Sequence, residues 1–181
     1  ADVGRSYEAI IRVNSQSGKG GIAHLLETTY GVSMPAAEWP AFSKIVQQVA
    51  DETGQELSPA TLWKIFCHTY EQNYPLQLLQ QEQSEGGQKI RVTMQHLEQT
   101  AVYEGQGSGP LDAFMQALNI PASLRHFEEK SLGHDAEAEA MAIVTLVDAK
   151  GHAVVGMGRD CNSSTAALKA IVSASNRLSM V

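Results

Sequence analysis

The chain has 181 residues, which suits one large domain or two small ones. Its 43% apolar and 18% charged residues are ordinary globular proportions and exclude a disordered tail, a collagen and a coiled coil. A net charge of −7 repels a duplex or an acidic bilayer, and no apolar run is long enough to span a membrane, so neither nucleic acid nor a membrane is expected as a partner.

Ala1 to Arg5 carries no signal-peptide pattern and reads as the interior of a longer protein. Tyr7 to Val13, with Ile10, Ile11 and Val13, reads as a short strand, because β-branched side chains fit a pleated surface. A polar, glycine-rich turn over Asn14–Gly21 follows. Ile22, Leu25, Leu26 and Tyr30 then recur at helical spacing, with Gly31 as a left-handed cap. A second helix starts near Glu38, carries the apolar stripe Phe42, Ile45, Val46, Val49 and Ala50, and ends at Gly54. Ser58-Pro59 caps a third, with Leu62, Ile65, Phe66, Thr69 and Tyr70 on its inner face. Residues 1–76 therefore read as a short strand and a small helical subdomain. Residues 77–87, rich in Gln and Glu, read as a linker.

From residue 88 the pattern turns to strands. Ile90, Val92 and Met94 alternate, and Ala101–Tyr103 is a second run, broken by Gly105-Gln106-Gly107-Ser108-Gly109. Pro110 opens a helix with Leu111, Phe114, Met115 and Leu118 on one side. Leu124–Lys130, Ala140–Val147 and Ala153–Met157 read as strands, Gly156-Met157-Gly158 as a break, and Ser163-Ser164 as the cap of a last helix carrying Ala167, Leu168, Ile171, Val172 and Ala174. The two Gly-x-Gly turns lie 51 residues apart, each followed by a helix, which is a weak two-fold repeat.

The motifs carry little catalytic signal. Ser17-Gly18-Lys19-Gly20-Gly21 lacks phosphate-loop spacing and the hydroxyl that holds magnesium. No Gly-x-Ser-x-Gly elbow exists, and His134-Asp135 reads as a solvated loop. Two distant cysteines, Cys67 and Cys161, fit reduced thiols, and six scattered histidines make no zinc pair. The turn at Gly105–Gly109 is the more telling feature. Its amides face a helix start, which is a seat for a carboxylate, so a small amino acid would suit it. The plain alternative is a tight strand–helix connection.

Gly4–Gly21 closely resembles a stretch of the 2-isopropylmalate synthases in their long bacterial form. Gly107-Ser108-Gly109-Pro110-Leu111-Asp112-Ala113 is similar to that family's Gly-Asn-Gly-Pro turn, and His134-Asp135-Ala136 and Gly156-x-Gly158 fall in the expected order. The resemblance covers essentially the whole chain and is to the family's C-terminal part. It implies an α+β fold: a linker subdomain, then a regulatory domain at 88–181 of two βββα units that pairs as a homodimer and binds leucine for feedback inhibition. It implies that the parent condenses acetyl-CoA with 2-oxoisovalerate in the cytoplasm. That chemistry would use a divalent metal in a TIM barrel, so no cofactor and no catalytic residue is expected in these residues. Carried over, Gly107, Gly109 and Asp112 form one wall of the leucine pocket, Asp135 and Ala136 the other, and Tyr7 relays the signal or faces the active site. Ser108 replaces the commoner Asn. The last helix, with Ala167, Ala170 and Ala174, offers small residues for close approach at the dimer interface. A free-standing amino-acid sensor, or the regulatory part of a citramalate or homocitrate synthase, is the alternative.

Overall fold

A computed structural model describes residues 19–54, 57–132 and 139–179. The chain divides into two compact units, one ending at Thr69 and the other beginning at Tyr70.

The first unit is helical: α1 (Lys19–Tyr30), α2 (Trp39–Thr53) and α3 (Pro59–Tyr70). In α1, Ile22 and Leu26 are buried one turn apart, and Gly31, at φ 71°, closes the helix by donating to Glu27 O. Phe42, Val46 and Ala50 are the buried stripe of α2, and Gly54 caps it in the left-handed region. Ser58 Oγ accepts the N–H of Thr61 at 3.2 Å and starts α3. Trp63 stacks on Tyr30 with ring centroids 4.7 Å apart, and Phe66 meets Phe42 edge-on at 5.4 Å. The strand expected over Tyr7–Val13 lies outside the described residues.

The second unit repeats a βββα pattern. The first copy is β1 (Leu76–Ser84), β2 (Lys89–His96), β3 (Gln99–Gln106) and α4 (Pro110–Leu118). The second is β4 (Ala122–Leu132), β5 (Glu139–Asp148), β6 (Ala153–Asp160) and α5 (Ser163–Leu178). Each copy is an antiparallel three-stranded meander. In both, the first strand carries a bulge after its third residue, Leu78 and Leu124. One apolar core takes Ile90, Val92 and Met94 from the first sheet, Ala142, Val144 and Leu146 from the second, and Phe114, Leu168 and Ile171 from the helices.

Two expectations are corrected here. Residues 77–87 are not a linker: they form β1 and a 3-10 turn, and the first sheet needs them. The strand escapes a period-2 reading because Leu78 is its one buried side chain. Its glutamines dock instead, Gln81 Nε2 on Thr165 Oγ1 at 3.1 Å and Gln83 on Ser164 Oγ. The second unit accordingly begins before residue 88.

The second correction concerns the glycines. Gly156 and Gly158 do not break a strand; they lie inside β6, and Gly105 lies inside β3. A Cβ at Gly156 would stand 2.5 Å from Ala170 O and closer still to Ala174 N. At Gly105 it would stand 2.6 Å from both Ala117 N and Ala117 Cβ. Each Gly-x-Gly is thus a groove into which the repeat's own helix settles. Ala167, Ala170 and Ala174 are buried inside the chain rather than presented on its surface to a second copy, and the backbone of Ala170 and Ala174 is what Gly156 receives.

Candidate functional site

The turn between β3 and α4 is built by its own hydrogen bonds. Gly107 N–H donates to Gln88 O at 2.9 Å, which ties the end of β3 to β2. Ser108 N–H donates to Asp112 Oδ2 at 2.9 Å, and Ala113 N–H to Gly109 O at 2.8 Å. Gly109 is the N-cap residue in extended backbone, and no side chain caps the helix. Pro110 has no N–H, so Leu111 and Asp112 supply the first-turn amides that lack an acceptor within the helix.

The two glycines differ in kind. A Cβ at Gly107 would meet the Asp112 carboxylate and would lie 2.7 Å from Ala113 N, whereas nothing lies within 4 Å of one at Gly109. Gly107 is therefore required by packing, and Gly109 leaves the helix N-terminus open. Asp112 is exposed and already answers the Ser108 amide.

Asp112 also borders a hollow of about 390 Å³ between α4 and β4. Met115, Ile120 and Leu124 give it apolar wall, and Gln116, Asn119 and Ser123 give it polar rim. A larger hollow of about 570 Å³ lies over Glu82, Arg91 and Glu104 on the first sheet. It is dominated by charged and amide side chains and offers Ile90 as its one large apolar contact.

Of the residues expected at a site, Gly107, Gly109 and Asp112 come together in this turn. Asp135, Ala136 and Tyr7 lie outside the described residues. The sequence marks Met115 and Leu124 only as helix and strand residues, and Ile120 not at all, since their convergence depends on how β4 leaves α4. On β4 and β5, His126 Nε2, Glu128 Oε2 and Thr145 Oγ1 are buried without a hydrogen-bond partner, and His126 pairs across the strands with Thr145.

Among the described residues, Asp148 and Asp160 have lowered pKa values. Partial desolvation opposes this at Asp148, but the amides of His152 and Lys150 and the His152 ring outweigh it. At Asp160, desolvation is likewise outweighed by the Lys169 ammonium, 2.8 Å away, and by the Asn162 amide. Both sit at turns rather than in the hollow. Among the described residues, no three His, Cys, Asp or Glu side chains converge as a metal would need, and no helix is long and apolar enough to cross a membrane.

Residues 56–179 match the family model described as the LeuA allosteric (dimerisation) domain. The chain belongs to this family. Residues 1–27 match a second model, the alpha-isopropylmalate synthase post-catalytic domain-like family. Curated relatives agree. The 2-isopropylmalate synthase of Ralstonia nicotianae is 45% identical over 98% of this chain and 32% of its own length. Those of Parvibaculum lavamentivorans and Rhodospirillum rubrum are each 40% identical, over 97% and 98% of this chain and 32% and 34% of their own lengths. The chain spans about a third of the length of the curated relatives it matches.

Proposed function

We propose that these residues are the regulatory part of a 2-isopropylmalate synthase, and that they bind leucine to inhibit the parent's condensation of acetyl-CoA with 2-oxoisovalerate. The observation that carries this reading is the match of residues 56–179 to the allosteric family; the α4 N-terminus at Gly109 is open, and Asp112 in its first turn borders the mixed polar and apolar hollow of Met115, Ile120 and Leu124. A ligand carboxylate would take the Leu111 and Asp112 amides, where the helix dipole favours negative charge. The isobutyl group would enter the hollow, and its burial is worth on the order of 1.5–3 kcal/mol. Asp112 or Asp135 would answer the ammonium with a charge-assisted hydrogen bond. The allosteric family supports a homodimer, in which Ala136 and Asp135 would complete the pocket.

The condensation itself, with its divalent metal, belongs in this reading to a barrel elsewhere in the parent, in the cytoplasm. The 181 residues alone should release no coenzyme A from acetyl-CoA in the presence of 2-oxoisovalerate. Titration calorimetry with leucine and valine tests the ligand. One methylene is worth about 1–3 kcal/mol, so valine should bind more weakly than leucine but measurably. No heat from leucine, or valine binding as tight as leucine, would overturn the assignment.

A further inference from the structure

The two repeats correspond through their helix grooves. A Cβ at Gly105 would meet Ala113 O and Ala117 N, the fourth and eighth residues of α4. One at Gly158 would meet Ala166 O and Ala170 N, the fourth and eighth of α5. Gly158 is thus the counterpart of Gly105, and Gly156, two residues earlier, is the counterpart of Tyr103. In the second repeat α5 runs for 16 residues and lays Ala174 over Gly156. In the first, α4 stops after 9 and Asn119 turns left-handed, short of Tyr103, which is left 38% exposed. The first repeat therefore lacks the cover that its twin supplies from within.

The same strand is the unprotected edge of its sheet. Among the described residues the edge strands are β1, β3, β4 and β6. β1 is bulged and docks Gln81 and Gln83 on α5, and β4 is bulged and carries Arg125, Glu128, Glu129 and Lys130. β6 gives the carbonyls of Met157 and Val155 to Ser173 and Arg177 of α5. Bulges, charges and covering helices keep an edge from pairing with another chain. β3 pairs with β2 without a bulge, has Glu104 as its one charge, and is exposed at every residue except Gly105. Val102, opposite Thr93, is 50% exposed.

We propose that β3 pairs antiparallel with β3 of a second copy about a two-fold axis at Val102, joining their first sheets into one. An axis normal to the sheet keeps each face on its own side, so the pairing must centre on a residue. Centred on Val102, it sets Val102 against Val102, Tyr103 against Ala101 and Glu104 against Thr100. These are an apolar pair, a large side chain beside a small one, and a carboxylate beside a hydroxyl. Centring on Ala101 would set Glu104 against Glu98, and centring on Tyr103 would set it against Val102. The second copy thus covers what α5 covers in the other repeat. The proposal rests on the homodimer of the proposed function and names its surface; it does not need the leucine assignment.

Light scattering on the 181-residue chain at tens of micromolar tests it. Val102→Lys sets two ammonium groups against each other at an exposed position and should halve the dimer mass. Phe127→Lys, on the charged edge β4, should keep the wild-type mass. A cross-link tests the register. With the free Cys67 and Cys161 replaced by serine, Val102→Cys should oxidise to a covalent dimer. Thr93→Cys, one strand further in on the same face, should not. If Val102→Lys fails to fold, the cross-link decides alone. A Val102→Lys protein of full dimer mass, or no cross-link from Val102→Cys, overturns the β3 interface and leaves the homodimer reading standing. A monomeric wild type overturns both.

Discussion

Substituting Gly156 by alanine tests whether the glycine grooves seat the helices. The added Cβ would lie 2.5 Å from Ala170 O and 2.7 Å from Ala174 Cα, and closer still to Ala174 N. Carbon contacts are comfortable at about 3.5–4.0 Å, so α5 must lift from β6 by about 1 Å. Backbone atoms stand in the way, and no side chain can rotate aside. The lift disturbs Leu168, Ile171 and Val172, all fully or almost fully buried, and stretches the Ser173–Met157 bond. Overpacking a core costs about 1–3 kcal/mol, and the upper end applies here because the whole helix must move. With a urea slope of about 2–3 kcal/mol per molar, a loss of about 3 kcal/mol lowers the midpoint by about 1–1.5 M. Circular dichroism reads the transition, and the fluorescence of Trp39 and Trp63, both in the first unit, follows that unit separately. Gly109→Ala is the control: it has open space and extended backbone, so its midpoint should fall only slightly, by the small loss of replacing glycine with alanine at an N-cap. An unchanged midpoint for Gly156→Ala would refute the groove argument.

Thr145→Val removes a buried hydroxyl that has no partner and keeps the shape of the side chain. Because such a hydroxyl costs about 1–3 kcal/mol, thermal unfolding should show the variant at least as stable as the wild type, and a drop would mean the hydroxyl is satisfied. Asp148 and Asp160 have folded pKa values below the unfolded value, so they stabilise the fold above about pH 4 and lose that contribution as pH falls through their folded values. An acid titration should therefore show stability falling below about pH 4, and Asp160→Asn should flatten the fall; a fall of equal steepness in the variant counts against the pairing. Light scattering at tens of micromolar should give the mass of a homodimer, and a monomeric mass with and without leucine would remove the shared pocket.

The helices and most strands are legible in the sequence because their burial repeats with the right period. The spacing of Phe42, Val46 and Ala50 is enough to announce α2, and that of Ile90, Val92 and Met94 to announce β2. Where the sequence misleads, local chemistry has been put to a non-local use. Glycine punctuates turns often enough that Gly156-x-Gly158 reads as a break, but here it accommodates the helix that follows it, α5. Gln77–Ser84 reads as a linker because its partners, Thr165 and Ser164, come from the other repeat. At the candidate site, the glycine turn is visible as a pattern, but the distinction between Gly107 and Gly109 needs three-dimensional neighbours.

If Gly109 leaves a carboxylate seat at the start of α4, calorimetry of leucine with the wild type and with Gly109→Asp should separate the two proteins. Aspartate is a favoured N-cap residue, and nothing lies within 4 Å of a Cβ at this position, so the variant should fold as well as the wild type. Its carboxylate would occupy the Leu111 and Asp112 amides and repel the ligand's own. The wild type should bind leucine, and a folded Gly109→Asp should lose the affinity at least a hundredfold. Equal binding by the two proteins would contradict it.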